Sequence, residues 1–230
     1  MDARLVPAGD AAWLIELPER LDAAVNARAI DIAARVTRAK IPVVRDVVVG
    51  FRSVMVYVDP LGDGAASIDV RLRAMLDEPA AAAAAAAGAL VDVPVCYEPA
   101  FAPDLPDVAM FAGCDAEDVI ARHLAVEYRV FVVGFVPGFA YMAPVDPRIA
   151  APRRPSPRLT VPAGSVAIAA GQTGIYPAET PGGWNIIGRT PVKPFAPDRA
   201  EPFLFRAGDR VRFHRIPERA YRAATEWGDA

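Results

Sequence analysis

The sequence predicts an α+β protein: a small open sheet with two helices, followed by a β-rich domain built as a barrel or sandwich. Three observations predict it. Residues 1–78 give the element order ββαββα. Residues 79–89 are low-complexity, a proline followed by eight alanines and Gly88, and mark a linker. From residue 90 to 230, short apolar runs alternate with glycine turns.

In the first domain, residues 4–7 and 12–17 read as strands around a Gly9-Asp10 turn. Leu21, Val25, Ala29, Ile32 and Val36 recur every three or four residues and predict a helix over about 21–40, stopped by Pro42. Arg28, Asp31, Arg35 and Arg38 share another face, expected to be solvated. The β-branched runs 43–50 and 54–58 form a strand pair, and a second helix is expected over about 66–76. The alanine tract has helical propensity but little to pack, so a linker or frayed helix is expected there.

In the second domain, residues 91–97 read as a strand and 103–110 as a short helical turn. Asp115 is placed to cap a helix running to about residue 128, with Val119, Ile120, His123 and Leu124 on one face. Residues 129–133 form a strand that enters the aromatic loop Gly134-Phe135-Val136-Pro137-Gly138-Phe139-Ala140-Tyr141. A proline-stiffened segment, Arg153 to Arg158, follows. The chain closes with a run at 203–205, a strand over 210–216 with His214 on its polar face, and a terminal helix over 217–230.

Composition excludes several roles. A net charge of −3 gives nucleic acid no electrostatic partner surface. Two cysteines and two histidines do not make a structural zinc set, and Cys96 and Cys114 are open to being free or paired. No apolar run has the length of a membrane span and the N-terminus is not a signal peptide, so a cytoplasmic protein is expected.

The richest stretch is residues 161–189, VPAGSVAIAAGQTGIYPAETPGGWNIIGR. Six glycines punctuate it, and Gln172, Thr173, Tyr176, Glu179, Thr180, Trp184 and Asn185 sit among them. Amides, a hydroxyl, a phenol and an indole suit a small polar ligand. A barrel that needs those glycines for its corners is the plainer reading of the glycines alone.

GFVPGFAYM, PRRPSPRLTVPAGSVAIAAGQTGIYP and TPGGWNIIGRTP, in that order, resemble the family of 5-oxoprolinase B-type subunits, also called allophanate hydrolase subunit 1, which includes a sporulation histidine-kinase inhibitor. Gly9 to Ala12, Phe51 to Ser53 and Tyr57 to Pro60 resemble the family's opening segments. Thr180 stands where the family pattern has serine, and Ala170 where a second glycine is expected. The resemblance implies a cyclophilin-like barrel for the second domain. It implies a role in opening the 5-oxoproline lactam to glutamate, with ATP used by the assembled complex. The implied partners are C-type (allophanate hydrolase subunit 2-type) and A-type subunits, and the ligand is a small amide or lactam. Kinase inhibition by docked aromatics, or action on urea-type amides, are the alternatives. Peptidyl-prolyl isomerase activity ranks last, since it rests on the barrel alone.

No GxxxxGK[ST] loop, no GxGxxG after a strand and no nucleophile elbow is present. Asp104, Asp107 and Glu179 have capping or surface readings. The candidate catalytic residue is His123, balanced between a core histidine and a family site. The binding surface is expected from Phe135, Phe139, Tyr141, Arg154, Arg158, Gln172, Thr173, Tyr176, Trp184 and Asn185. Guanidinium forks at Arg154 and Arg158 suit carboxylate or phosphate, whereas Arg153 reads as a solvated loop residue.

Overall fold

The computed structural model describes residues 3–19, 22–78 and 88–226. The alanine tract expected as a linker therefore lies outside the described residues, as do Leu21 and residues 227–230. Contacts divide the chain into two compact units, residues 1–87 and 88–230.

In the first unit, β1 (Arg4–Pro7) and β2 (Ala12–Glu16) form a hairpin, and β3 (Val44–Val49) and β4 (Ser53–Val58) complete an antiparallel sheet in the order β1-β2-β4-β3. Gly9 turns the hairpin with φ +71°, which costs a residue without Cβ nothing. Helix α1 (Ala23–Arg38) starts at Asp22, whose carboxylate accepts from the N–H groups of Ala24 and Val25. Helix α2 (Ile68–Asp77) follows a 3-10 turn at Ala65–Ser67. Val25, Ala29, Ile32 and Val36 of α1 bury their expected face against Ile15, Val54, Val56 and Leu72.

The charged face of α1 is solvated only at Arg38; Arg28, Asp31 and Arg35 are covered. Asp31 is buried and pairs with Arg28 at 3.0 Å and with Arg35 at 2.8 Å. Arg28 also donates to the carbonyls of Leu76 and Glu78 at 2.9 and 3.0 Å. The arginines thus satisfy the carbonyls that α2 leaves open at its C-terminus. A helical wheel shows only the spacing of these charges, not the second helix laid across them.

The second unit is built on a seven-stranded sheet. Its strands are β5 (Leu90–Val95), β6 (Glu127–Val133), β7 (Ala140–Ala143), β9 (Ser165–Ala169), β10 (Gln172–Ile175), β12 (Asn185–Arg189) and β13 (Arg210–Arg215), in the order β12-β9-β10-β7-β6-β13-β5. Cys96, just past one edge strand, exchanges backbone hydrogen bonds of 2.8 and 2.9 Å with Arg189 of the other. The two edges therefore meet, which removes the open-edge problem at that end. A ribbon of β8 (Arg158–Val161) and β11 (Thr180–Gly182) forms a separate two-stranded sheet.

Among the described residues, three α-helices belong to this unit: α3 (Leu105–Ala112), α4 (Ala116–Leu124) and α5 (Glu218–Glu226). It is a mixed α and β body: the barrel-like sheet expected is present, and α3, α4 and α5 fall in the three stretches read as helical. Asp115 caps α4 as expected, accepting from Asp118 N at 2.8 Å, but the helix stops at Leu124 because β6 begins at Glu127. β9 is buried on both faces: Val166 and Ile168 enter the large core with α3 and α4, while Ala167 and Ala169 enter a smaller aromatic core. Both cysteines are free thiols, Cys96 buried and Cys114 partly so.

Ala170 ends the β9–β10 hairpin at φ +50°, and its N–H donates to Ala151 O at 2.7 Å. This is the position where the family pattern favours glycine, and the left-handed backbone is the reason.

Two stability outcomes follow. A170G should gain about 0.5–1 kcal/mol by relieving the left-handed strain, read as a rise in the urea midpoint. D31A should cost about 3 kcal/mol by leaving Arg28 and Arg35 without their shared counter-ion. An unchanged midpoint in D31A would remove the clamp from the stability account.

Candidate functional site

His123 sits on α4 in the large core with no exposure. Its ring stacks on Phe213 with centroids 4.7 Å apart. Thr173 Oγ1 donates its single proton to Ala167 O at 3.0 Å, so it accepts from His123 Nε2–H at 3.1 Å. Nδ1 is then the acceptor for the Tyr97 hydroxyl at 2.8 Å. Tyr128 closes the network by donating to the His123 carbonyl at 2.9 Å. Burial lowers the imidazole to about 3 and raises the Tyr97 phenol well above its usual range. The ring is a neutral, fully bonded core group, out of reach of solvent and substrate in this conformation. Thr173 is accounted for by the same network.

The aromatic residues singled out in the sequence do meet. Phe139 stands at the centre, edge-on to Phe135, Tyr141, Tyr176 and Trp184 at centroid distances of 5.7, 4.8, 5.2 and 5.4 Å. Phe139, Tyr176 and Trp184 are buried with Val161, Ala167, Ala169 and Ile186. The docking surface expected of Phe135, Phe139, Tyr141 and Trp184 is therefore corrected. Only Phe135 is well exposed, at 63%, on a left-handed backbone of φ +74°. The rings fill a core because β9 needs cover on its second face. Gly182 lies flat against the Tyr176 ring and hydroxyl, where any Cβ would collide. Burial raises the Tyr176 and Tyr141 phenols, so neither is poised to lose a proton near neutrality.

Beside this cluster lies the unit's most polar junction. Asp104, at the start of α3, is 1% exposed. Its Oδ1 accepts from Arg154 Nη1 at 2.7 Å and Arg158 Nη2 at 2.6 Å. Its Oδ2 accepts from Arg158 Nη1 at 2.9 Å and from the Ile186 N–H at 2.7 Å. The backbone seals the same junction: Asp104 N donates to Ile186 O at 3.0 Å and Arg154 N to Gly183 O at 2.8 Å. Arg154 and Arg158, expected to face a ligand, direct these donors to an internal carboxylate. Asp104 is the partner that sequence reasoning undervalues. Its signal is the arginine-dense loop itself, because a buried fork needs a fixed acceptor.

Against this junction opens a groove of about 290 Å³, lined in part by Asp107, Phe111, Pro152, Arg153, Arg154 and Asn185. Asn185 Nδ2 donates to Pro152 O at 2.8 Å and Ile168 O at 3.3 Å, which fixes the amide's orientation. Arg153, exposed, lies over the Trp184 ring at 6.0 Å. Gln172 is half-buried at the start of β10, opposite Ala169. Among the described residues, no group of histidine, cysteine and carboxylate side chains could hold a metal, and no helix is long and apolar enough to cross a membrane.

One pH outcome follows from His123. The native ring titrates near 3 and the unfolded ring near 6.5, so its contribution is fully present above pH 6.5 and lost as pH falls toward 3. In that window the unfolded chain holds the extra proton, a slope of up to about 1.4 kcal/mol per pH unit. Urea unfolding at pH 7.5 and 5.5 should show wild type losing about 1 kcal/mol more than H123Q, whose amide can keep both bonds. Equal losses would show that the ring is not neutral in the native state.

Comparison with known proteins supplies the kinship. The family model described as carboxyltransferase domain, subdomain C and D, matches residues 3–205. A protein named as the B-type subunit of 5-oxoprolinase, from Bacillus subtilis (strain 168), is 39% identical over 227 residues, covering 95% of this chain and 95% of its own. The crystal structure of TTHA0988 is 38% identical with a TM-score of 0.78, over 89% of this chain, which spans 40% of that longer one. The K. lactis urea amidolyase superposes with a TM-score of 0.80 over 99% of this chain and 16% of its own; at 21% identity that is a likeness of fold. With 39% identity to one relative over nearly the full length of both and a family match over most of its residues, the chain belongs to the family of 5-oxoprolinase B-type subunits, within the carboxyltransferase subdomain C and D group.

Proposed function

We infer that this chain is the B-type subunit of an ATP-dependent 5-oxoprolinase and works in a complex with C-type and A-type partners. The observation that carries the reading is 39% identity over 95% of both chains with a protein named as that subunit. The reaction opens a five-membered lactam with water to give glutamate. A lactam is a stable amide, which is why such a reaction is coupled to ATP.

The chain's own residues suit binding better than bond-breaking. His123 is sealed in the core, and Ser165 Oγ donates to Pro162 O at 2.7 Å. The described residues form no glycine-rich phosphate loop. The glycines at 171, 174, 182, 183 and 188 lie in strands and their turns, not in a loop feeding a helix N-terminus with a following lysine. The nucleotide is accordingly assigned to the assembled complex. In TTHA0988 and the K. lactis amidolyase the same fold is one part of a longer chain, which supports a body that works beside others.

The closed seven-stranded sheet supports reading residues 90–230 as a cyclophilin-like barrel domain, with residues 1–78 a separate α+β domain joined by 79–89. Kinase inhibition through a broad aromatic face has little support, since Phe139 and Trp184 are buried.

The test is co-expression with the A-type and C-type partners and an assay of ATP-dependent glutamate release from 5-oxoproline, omitting one component at a time. Activity should require this chain. Full activity of the complex without it would overturn the reading.

A further inference from the structure

We propose that the groove beside Asp104 is a carboxylate subsite, in which Arg153 and Arg154 hold a substrate carboxylate and Asn185 Oδ1 accepts the neighbouring lactam N–H. This rests on the function proposed above and deepens it.

The groove's free valences carry the argument. Asn185 has both amide protons committed to Pro152 O and Ile168 O, so its oxygen is the end left over. Among the described residues nothing donates to that oxygen, and it is not among the enclosed, unpartnered atoms. An acceptor is thereby offered at the groove with its orientation set by two carbonyls. Arg154 is held through Nη1 by Asp104, and its side chain keeps 30% exposure, so the guanidinium edge that Asp104 does not occupy is open to a ligand oxygen.

Arg153 differs from its neighbours. Arg154 and Arg158 both pair with Asp104, whereas Arg153 makes no ion pair among the described residues and rests over the Trp184 ring. Asp107, on α3 at the rim, lies 3.6 Å from Arg154 Nη1. Three arginines against two carboxylates leave one net positive charge at the groove. Phe111 is 54% exposed and offers an apolar wall.

5-Oxoproline presents the complementary set. Its ring N–H is adjacent to the carbon that bears its carboxylate, so one donor and one anion face the same side. A fixed amide oxygen beside guanidinium donors matches that pair, and the ring methylenes can lie on Phe111. The aromatic support under Arg153 holds the cation in place without a competing anion.

The test combines kinetics of the assembled complex with calorimetric titration of the full chain. R153Q changes an exposed loop residue and should leave the fold and co-purification with partners intact. It should raise KM for 5-oxoproline about tenfold with little change in kcat, the signature of lost uniform binding. In titrations, 5-oxoproline should bind wild type at least about tenfold more tightly than 2-pyrrolidinone, which lacks the carboxylate, and R153Q should abolish the difference. An unchanged KM in R153Q, with wild type turning over, overturns the subsite and leaves the proposed function standing. A wild-type complex inactive on 5-oxoproline overturns the proposed function, and the titration then decides the subsite alone: no preference over 2-pyrrolidinone rejects it. Loss of partner co-purification in R153Q, with substrate affinity unchanged, gives the groove to a partner's carboxylate and also rejects it.

Discussion

The second unit's polar architecture depends on one buried carboxylate. Asp104 accepts from two guanidiniums and one backbone N–H while its own N–H binds Ile186 O. Three segments far apart in sequence, the start of α3, the loop 152–158 and β12, are thereby fixed to one another. Isolating a carboxylate at 1% exposure is expensive, and only multiple donors make it tolerable. The geometry of Arg154 and the placement of Asn185 both follow from that junction. Arg153 is the adjacent residue it leaves free.

The strand and helix pattern of the first unit is legible in the sequence, because alternation and three-to-four spacing report burial directly. Arg4–Pro7 has the bounds expected of it, and α1 differs only at its ends. What spacing cannot report is which polar face meets a second element. The face of α1 carrying Asp31 reads as solvated and is an ion-paired clamp on α2. In the second unit β7, β8, β10 and β11 escape sequence reading as strands. They are three or four residues long, and β10 and β11 are also interrupted by glycine or proline, so no periodicity accumulates.

The functional stretch is legible as a cluster but not as a core. Tyr176 and Trp184 do meet, around Phe139, yet the dense aromatics beside the glycines pack a second core rather than line a surface. The decisive term is β9, which is buried on both faces and needs rings on one of them. Gly182 lets the ribbon approach Tyr176 closely, which is a packing reason for a glycine that reads as part of a ligand loop. Ala170 points the same way. Its departure from glycine is visible in the sequence, and its meaning is a left-handed turn.

A division of labour follows from where the reactive side chains end up. His123 has both nitrogens bonded inside the core, Ser165 is bonded to its own turn, and Tyr141 and Tyr176 are held protonated by burial. None of these groups can serve as a base near neutrality without leaving its partners. The free valences that remain are a fixed amide oxygen, an exposed arginine and the part-exposed guanidinium of Arg154, all lining one groove. Those groups recognise; they do not activate water or break a bond. On the proposed reading, the groove orients the lactam and its carboxylate, and the bond-breaking groups come from a partner that closes over it.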